Sequence, residues 1–175
     1  MTEEMIWKAG FPVGEYQDWL LDPDGEVIWT TPWQRNLIVA GLPKLLAALL
    51  KGDAQGKPLS YWAVGNGEES WDSGALPDDS ARERWEFLKA EVARKDISGQ
   101  IKFLGGNFTN QLEISITFTA NDVGPDKQKW RLREFGLFAG GSAALNTGTM
   151  INHRIHPRID LEPGFTLQRK LRLTF

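Results

Sequence analysis

Alternation of apolar and polar residues dominates the last third of the chain and predicts β-strands there. In the segment 110–120 every even-numbered residue from Leu112 to Phe118 is apolar, and the odd-numbered residues between them are polar. In the segment 166–175 the odd-numbered residues are apolar except for Arg169. Because successive side chains of a strand point to opposite faces, each segment has one face for a core and one for water.

Helical spacing is much rarer in this chain. Five leucines between positions 42 and 50 recur three and four residues apart, Pro43 suits a first helical turn, and Gly52 suits a helix end. This pattern predicts a helix over about residues 42–51. A weaker run of apolar residues at helical spacing, Trp85–Val92, predicts a second, shorter helix over about residues 80–93.

The first predicted pair of strands is a hairpin near the N-terminus. Trp19 and Leu21 alternate before the turn sequence DPDG, and Val27 and Trp29 resume the alternation after it. The sequence DPDG begins like a calcium-binding loop, but no acidic residue follows at the spacing that would complete one. We therefore interpret it as a tight turn.

These elements together indicate the fold class. Five or more half-buried strands joined by short turns, with one clear helix, are typical of a mainly β chain folded as an antiparallel β-sandwich. We expect residues 1–35 to form an N-terminal hairpin or arm that serves as an interface element. We expect residues 36–175 to form the sandwich domain.

One strand, WRLREFGLFAGG, changes its alternation in the middle. Its apolar residues lie at even positions up to Leu132 and at odd positions from Phe135, so the phase slips at Glu134. Such a slip predicts a bulge, a carboxylate turned inward, or both. A buried carboxylate is costly unless it is paired, and arginine pairs it in bidentate fashion. We predict that Arg94, in the sequence EVARK, is this partner, and we favour a structural ion pair over catalysis.

Composition narrows the classes of function. The 175 residues include no cysteine, so a disulfide framework, a thiolate zinc site and a cysteine nucleophile are excluded. With 20 Lys and Arg against 23 Asp and Glu, the net charge of −3 gives no electrostatic reason to bind nucleic acid. The most apolar run, residues 37–50, is too short and too interrupted to span a bilayer, so we expect no membrane insertion.

The first residues, MTEEMIWKAG, carry acids where a signal peptide would carry lysines. They also lack an apolar run of the required length. We therefore expect the protein to be made in the cytoplasm without a signal peptide.

No grouping of residues in the sequence indicates catalysis, a cofactor or a metal. His153 and His156 lie three apart on a predicted strand, so their side chains would face opposite sides rather than share a metal ion. The glycine-rich sequences GNGEES and FAGGSAALNTG lack the lysine and the spacing of nucleotide-binding loops. We therefore predict a protein that is not an enzyme and has no catalytic residues, cofactor or metal site.

Four motifs occur in a fixed order along residues 36–175. They are YWAVGNGEES, then LPDDSARERWEFLKAEVARKDIS, then LREFGLFAGG, and last GTMINHRIHPRIDLEPGFTLQRKLRLTF, with NLIVAGLPKLLAALL upstream. Together they resemble bacteriophage tail proteins of the tail-fibre base, collar and baseplate kind, and their counterparts in phage-tail-like contractile injection systems. The loop between Gly67 and Glu91 is longer and richer in tryptophan than that pattern, and the first 35 residues match nothing in it.

The resemblance implies a structural component of a virion tail or injection particle. Such a component assembles as a homo-oligomer, for which we favour a trimer, and offers an attachment surface to a fibre, a spike or a neighbouring baseplate protein. Exposed aromatic and arginine side chains are common anchors of protein interfaces. Our candidate interface residues are Trp7, Trp19, Trp29, Trp33, His153, Arg154, His156 and Arg158.

Eight tryptophans are unusual for this length and leave an alternative function open. An aromatic ring offers a large rigid face at little entropic cost, and sugar rings can stack on such a face. On this alternative the chain is a carbohydrate-binding β-sandwich module that recognises a cell-surface glycan. The candidate stacking residues are then Trp62, Trp71 and Trp85.

Overall fold

The computed structural model describes residues 12–175, and in this range the chain forms one antiparallel sheet that curls on itself around a core. Its strands are β1 (Val13–Leu21), β2 (Val27–Thr30), β3 (Gln34–Ile38), β4 (Leu59–Gly65), β5 (Glu91–Asp96), β6 (Ile101–Phe103), β7 (Gln111–Thr119), β8 (Arg131–Ala139), β9 (Thr149–Asp160) and β10 (Thr166–Thr174). Its α-helices are α1 (Gly41–Lys51), α2 (Asp79–Arg82) and α3 (Ala120–Val123). The prediction of a mainly β, antiparallel chain is confirmed.

The strand order shows how the sheet becomes a sandwich. Neighbouring strands follow the order β5-β4-β8-β9-β3-β1-β10-β7-β6, and β2 lies beside β1. The strand β3 joins the two halves, because it pairs with β1 at one end and with β9 at the other. The halves face each other: the ring of Tyr16 in β1 meets the ring of Phe135 in β8 edge to face, with centroids 5.0 Å apart.

The core takes side chains from both halves, and the predicted alternation holds in its central strands. Ile114 and Phe118 of β7 are fully buried, as are Leu167 and Leu171 of β10. Burial of such side chains is the main favourable term in folding. The sandwich therefore rests on one shared apolar core.

The helix α1 lies where the leucine spacing predicts it, over Gly41–Lys51. Leu42 and Leu45 are buried against the sheet, whereas Leu50 is 91% exposed. The residue that follows the helix, Gly52, has a left-handed backbone with φ of 71°, which is the conformation that ends many helices.

The second predicted helix is shorter than the range 80–93. The helix α2 ends at Arg82, and Glu91–Asp96 is the strand β5. β5 pairs with β4, and Ala93 is buried in the core. Sheet pairing therefore overrides the helical spacing in this segment.

The N-terminal hairpin is present and belongs to the sheet. β1 pairs with β2, and on its other side it pairs with β10 from Val13↔Thr174 to Leu21↔Thr166. The predicted boundary between residues 35 and 36 falls inside β3. Residues 12–35 are therefore part of the same sandwich as the rest of the described chain.

A bilayer-spanning helix would need greater length and apolar character than any helix in residues 12–175 has.

Candidate functional site

Glu134 points into the protein, and the bulge beside it lies in the neighbouring strand β9. Leu132 pairs with Ile159 and Glu134 with Ile155, so the extra residues are in β9. β8 itself keeps a regular register with β4 around Glu134 and is buried on both faces from Leu132 to Ala139. The change of alternation in the sequence therefore marks a carboxylate turned inward, while the bulge bends the partner strand.

Three donors converge on the carboxylate of Glu134. Lys89 N donates to its Oε2 at 3.1 Å and Ala90 N to its Oε1 at 2.8 Å. His153 Nε2 lies 2.8 Å from Oε2, and its Nδ1 lies 3.3 Å from a guanidinium nitrogen of Arg82. Because a guanidinium only donates, Nδ1 accepts, and Nε2–H donates to Glu134. This Glu134 cluster holds residues 82–90 against the sheet.

The predicted ion pair between Glu134 and Arg94 is wrong. Arg94 instead pairs with Glu91, with its Nε 2.6 Å from one carboxylate oxygen and Nη2 2.9 Å from the other. Its remaining nitrogen donates to the carbonyl of Thr147 at 2.9 Å. The physical reason is topological: β4 lies between β5 and β8, so Arg94 and Glu134 are two strands apart.

A second buried charge, Arg133, holds the loop that precedes α2. Its guanidinium makes a bidentate pair with Asp72, at 2.8 Å and 2.7 Å, and donates to the carbonyl of Asn66 at 3.1 Å. The hydrogen bonds from Arg133 lower the pKa of the Asp72 carboxyl, and the same bonds raise the pKa of Arg133. The pair fastens the loop that carries Trp71 onto β8.

A third polar cluster lies inside the sandwich, between β1, β9 and β10. Arg169 makes two hydrogen bonds of 2.9 Å to Asp18, and its Nη2 lies 2.8 Å from His156 Nε2. The guanidinium also lies over the ring of Phe135, 4.5 Å from its centroid. The pKa of His156 is lowered well below its ordinary value, mainly by burial and next by the nearby positive charge of Arg169. His156 is therefore neutral at pH 7.

The two histidines proposed as interface residues are buried, so that prediction is wrong for them. His153 is fully enclosed in the Glu134 cluster, and His156 is enclosed beside Arg169. The bulge in β9 and the curl of the sheet place both rings inside. Their role here is to satisfy buried charged groups.

The other candidate interface residues lie at varied depths. Arg158 is exposed, and Arg154 is half-buried with its guanidinium bonded to Tyr16 and Gln34. Trp19 is half-buried beside Lys170, Trp33 is half-buried under the guanidinium of Arg172, and Trp29 is 37% exposed. Trp7 lies outside the described residues.

Two of the three candidate glycan-stacking residues are inside the protein, so the prediction is wrong for them. Trp62 is fully buried, with its ring tilted against that of Phe135. Trp71 is buried and stacks on Trp85 at 6.5 Å between centroids. The half-buried ring of Trp85 also contacts His153. The loop that carries Trp71 and Trp85 folds back onto the sheet and uses their rings for packing.

Sequence reasoning missed several residues of these clusters. Arg169 and Asp18 could have been found, because each occupies a core-facing position of its strand, as Glu134 does. Asp72 and Arg82 gave no such signal, since they lie outside the strands and have no alternation to break.

The contacts of the Glu134 cluster are suited to holding residues 82–90 in place. Both carboxylate oxygens already accept hydrogen bonds from the backbone, and His153 is held between Glu134 and Arg82. Within residues 12–175, no three or more His, Asp or Glu side chains group in a way that could hold a metal ion.

A different kind of candidate site lies on the surface, at the N-terminal hairpin. All four residues of β2 are exposed, and three of them are apolar: Val27 is 54% exposed, Ile28 53% and Trp29 37%. The pairing with β1 shifts register so that Ile28 is the extra residue of a bulge. Three consecutive apolar side chains are therefore exposed on the surface.

Comparisons of the chain with protein-family models, with curated proteins and with solved structures found no match.

Proposed function

We propose that this chain is a structural subunit of a bacteriophage tail or of a phage-tail-like contractile injection particle. It assembles as a homo-oligomer at the baseplate or collar, and it gives a fibre, spike or neighbouring subunit its attachment surface. The observation that carries the proposal is the placement of the motifs on which the resemblance rests.

Parts of all four motifs lie in one contiguous half of the sandwich, while the end of the fourth motif forms β10 in the other half. YWAVG lies on β4, EVARK on β5 and REFGLF on β8, and the segment GTMINHR enters β9. These four strands are neighbours in the order β5-β4-β8-β9. Motifs that are far apart in sequence thus come together in one half of the sheet. This supports reading them as one signature rather than four coincidences.

The buried charges that hold loops belong to the same unit. Glu134 and Arg133 lie in the REFGLF motif, Arg94 and Glu91 lie in EVARK, and His153 lies on β9. Each fastens a loop to the half-sheet rather than opening toward solvent. A half-sheet whose loops are held by buried charged groups suits a subunit that must keep its shape under mechanical load.

The hairpin supplies a surface for assembly. Tryptophan and other large apolar side chains are enriched at the buried centres of protein interfaces, while charged residues are depleted there. The exposed Val27, Ile28 and Trp29 fit this composition. An exposed apolar patch on a folded chain commonly marks a contact site.

The test is whether the chain is part of a particle. Tail or tail-like particles from the producing cells would be sedimented through a density gradient and probed with an antibody raised against the purified chain. The proposal expects the chain to sediment with the sheath and tube proteins, and immunogold label to lie at one end of the particle.

Particles from cells in which the gene is disrupted give the control, because they should carry no label. Recovery of the chain only in the unsedimented fraction, while sheath and tube proteins sediment, would overturn the proposal.

A further inference from the structure

An apolar groove lies beside α1, at one end of the sandwich. It has a volume of about 250 Å³, and its walls include Leu46, Leu49, Leu59, Ile101, Leu112 and Phe175. A space of this size would hold about eight water molecules at roughly 30 Å³ each, all against hydrocarbon walls. Among the described residues that line it, Lys57 is the one with a charged side chain.

The hairpin tip, residues 22–29, has the complementary character. Its turn carries Asp22, Asp24 and Glu26, and its strand carries Val27, Ile28 and Trp29. The side chain of Asp22 is occupied by the backbone of the turn, accepting from Asp24 N at 3.0 Å and Glu26 N at 2.9 Å. The carboxylates of Asp24 and Glu26 are exposed next to the apolar residues. Acidic groups on the tip thus face outward together with large apolar side chains.

The hairpin tip and the apolar groove lie at opposite ends of the same strands. β10 pairs with β1 at Thr166↔Leu21 next to the tip, and at Thr174↔Val13 next to the groove wall formed by Phe175. Eight steps along a strand cover about 26 Å at ~3.3 Å per residue. The tip of a chain therefore cannot fill the groove of the same chain.

We infer that the hairpin tip of one copy packs into the apolar groove of a second copy of this chain. Val27, Ile28 and Trp29 fill the groove, and Asp24 and Glu26 lie near Lys57. The contact joins two different surfaces, so it is heterologous and continues from copy to copy. Such contacts close into a ring when the rotation between copies allows it, and otherwise form a filament.

The outer edge of β2 is better suited to inserting its side chains into a second copy than to pairing with a strand of that copy. The bulge at Ile28 disrupts the outer edge of β2, and bulged edges pair poorly with another strand. The groove, by contrast, has an almost wholly apolar lining with few polar backbone groups to pair. The inference rests on the proposed function and deepens it, because it names the surface through which copies assemble.

The absence of cysteine makes a direct test simple, since single thiols can be placed where they are wanted. Asp24→Cys puts a thiol on the tip, and Leu50→Cys puts one on the residue that follows the groove residue Leu49 and is 91% exposed. The two full-length variants would be mixed and treated with a short bismaleimide. The inference expects a cross-linked dimer in the mixture and none with either variant alone.

A matched control replaces the thiol of Leu50→Cys with one elsewhere. Leu76→Cys is also on an exposed apolar residue, but lies in the loop before α2, and its mixture with Asp24→Cys should give no dimer. No dimer in the Asp24→Cys and Leu50→Cys mixture would overturn the inference. A dimer from Asp24→Cys alone would also overturn it, since it would show a tip-to-tip contact.

A second pair of variants tests the side chains. Trp29→Glu, added to Asp24→Cys, should reduce the yield of the mixed dimer by more than about tenfold, as loss of a central aromatic anchor does. Phe87→Glu, on an exposed aromatic residue outside the tip and the groove, should leave the yield unchanged, with circular dichroism confirming that both variants fold. Equal yields from the two would contradict the inference.

The failure of this inference can be told apart from failure of the proposed function. A chain that is present in tail particles yet gives no mixed dimer overturns the head-to-tail contact alone. A chain that is absent from the particles overturns the proposed function, whatever the cross-linking shows.

Discussion

The carboxylate of Glu134 in β8 accepts three hydrogen bonds. Its removal would leave the backbone N–H groups of Lys89 and Ala90 without this acceptor, and the ring N–H of His153 fully buried without one. We therefore predict that Glu134→Ala lowers the free energy of unfolding by about 3 kcal/mol. Urea denaturation followed by tryptophan fluorescence measures this change.

Glu113 gives the matched comparison. Its carboxylate is partly exposed and pairs with Arg172 across the β7–β10 ladder at 3.0 Å. Exposed pairs contribute about 0–1 kcal/mol, so Glu113→Ala should be nearly neutral. Equal losses in the two variants would show that the Glu134 cluster does not hold residues 82–90 in place.

His156 should make stability depend on pH. Burial and the charge of Arg169 lower its pKa in the folded chain, whereas the unfolded chain binds a proton near pH 6.5. Below about pH 6.5 the unfolded state therefore takes up more protons, and the free energy of unfolding falls by up to ~1.4 kcal/mol per pH unit. This contribution is fully present above that pH.

The measurement compares the wild type with His156→Gln, which keeps an acceptor for Arg169. Urea denaturation between pH 7.5 and 5 should give a steeper loss of stability for the wild type than for the variant. Parallel curves would mean that His156 is not responsible for the pH dependence.

At the level of residues, the sequence predicts which charges are buried better than it predicts their partners. A charged residue at a strand position where the alternation would place an apolar one is expected to be buried, and this is correct for Glu134. The same test would have predicted the burial of Arg169. The partner of Glu134 could not be predicted, because it depends on how residues 82–90 cross the sheet. That path has no periodic pattern, and it brings backbone N–H groups to a site where an arginine was expected.

Among the elements, α1 ends at a residue whose backbone favours glycine. Gly52 has φ of 71°, and a Cβ added there would meet no atom within 4 Å, so backbone strain alone opposes a side chain. We predict that Gly52→Ala lowers the free energy of unfolding by about 1 kcal/mol. A thermal or urea melt provides the measurement.

Gly99 provides the control, because a Cβ there also meets no atom within 4 Å and its φ lies outside the left-handed region. Gly99→Ala should be neutral or slightly stabilising, since it reduces the entropy of the unfolded chain. A loss at Gly99 as large as that at Gly52 would rule out backbone strain as the cause.

The elements differ in how well local pattern predicted them. The limits of α1 were predicted to within one residue, because leucine spacing, Pro43 and Gly52 agree. The helix predicted over 80–93 was too long, because Trp85 and Leu88 use the same spacing to pack an irregular segment onto the sheet. Apolar residues three and four apart indicate that a segment packs against the rest of the protein. Only long runs of this spacing indicate that the segment is a helix.

At the scale of the whole molecule, β1 should behave as part of the core. It lies between β10 on one side and β2 and β3 on the other, and Tyr16 and Asp18 are buried. We predict that amide hydrogens of β1 bonded to β10 exchange as slowly as those of β10 itself, through global unfolding. Amide exchange followed by mass spectrometry or NMR measures this.

The strand β2 is the internal comparison, because all its residues are exposed and it sits at an edge. Its amides should exchange much faster than those of β1. Exchange of β1 and β2 together, well before β10, would support an independently unfolding N-terminal arm.

The overall architecture could be predicted only in outline. Alternation indicated the strands and the sandwich, since each strand shows which of its faces is buried. The order of the strands could not be predicted, because β1 pairs with β10 about 150 residues away and no local pattern encodes such a pairing. The same distance hid the pair between Asp18 and Arg169.

The pairing of the first described strand with the last has a consequence during synthesis. Residues 13–21 leave the ribosome about 150 residues before their partner strand, Thr166–Thr174. At about 5–20 residues per second, β1 waits roughly 8–30 s with one edge open and Asp18 without its arginine. The sandwich is therefore completed long after β1 has been made, and nascent copies are the stage most exposed to wrong pairing with each other.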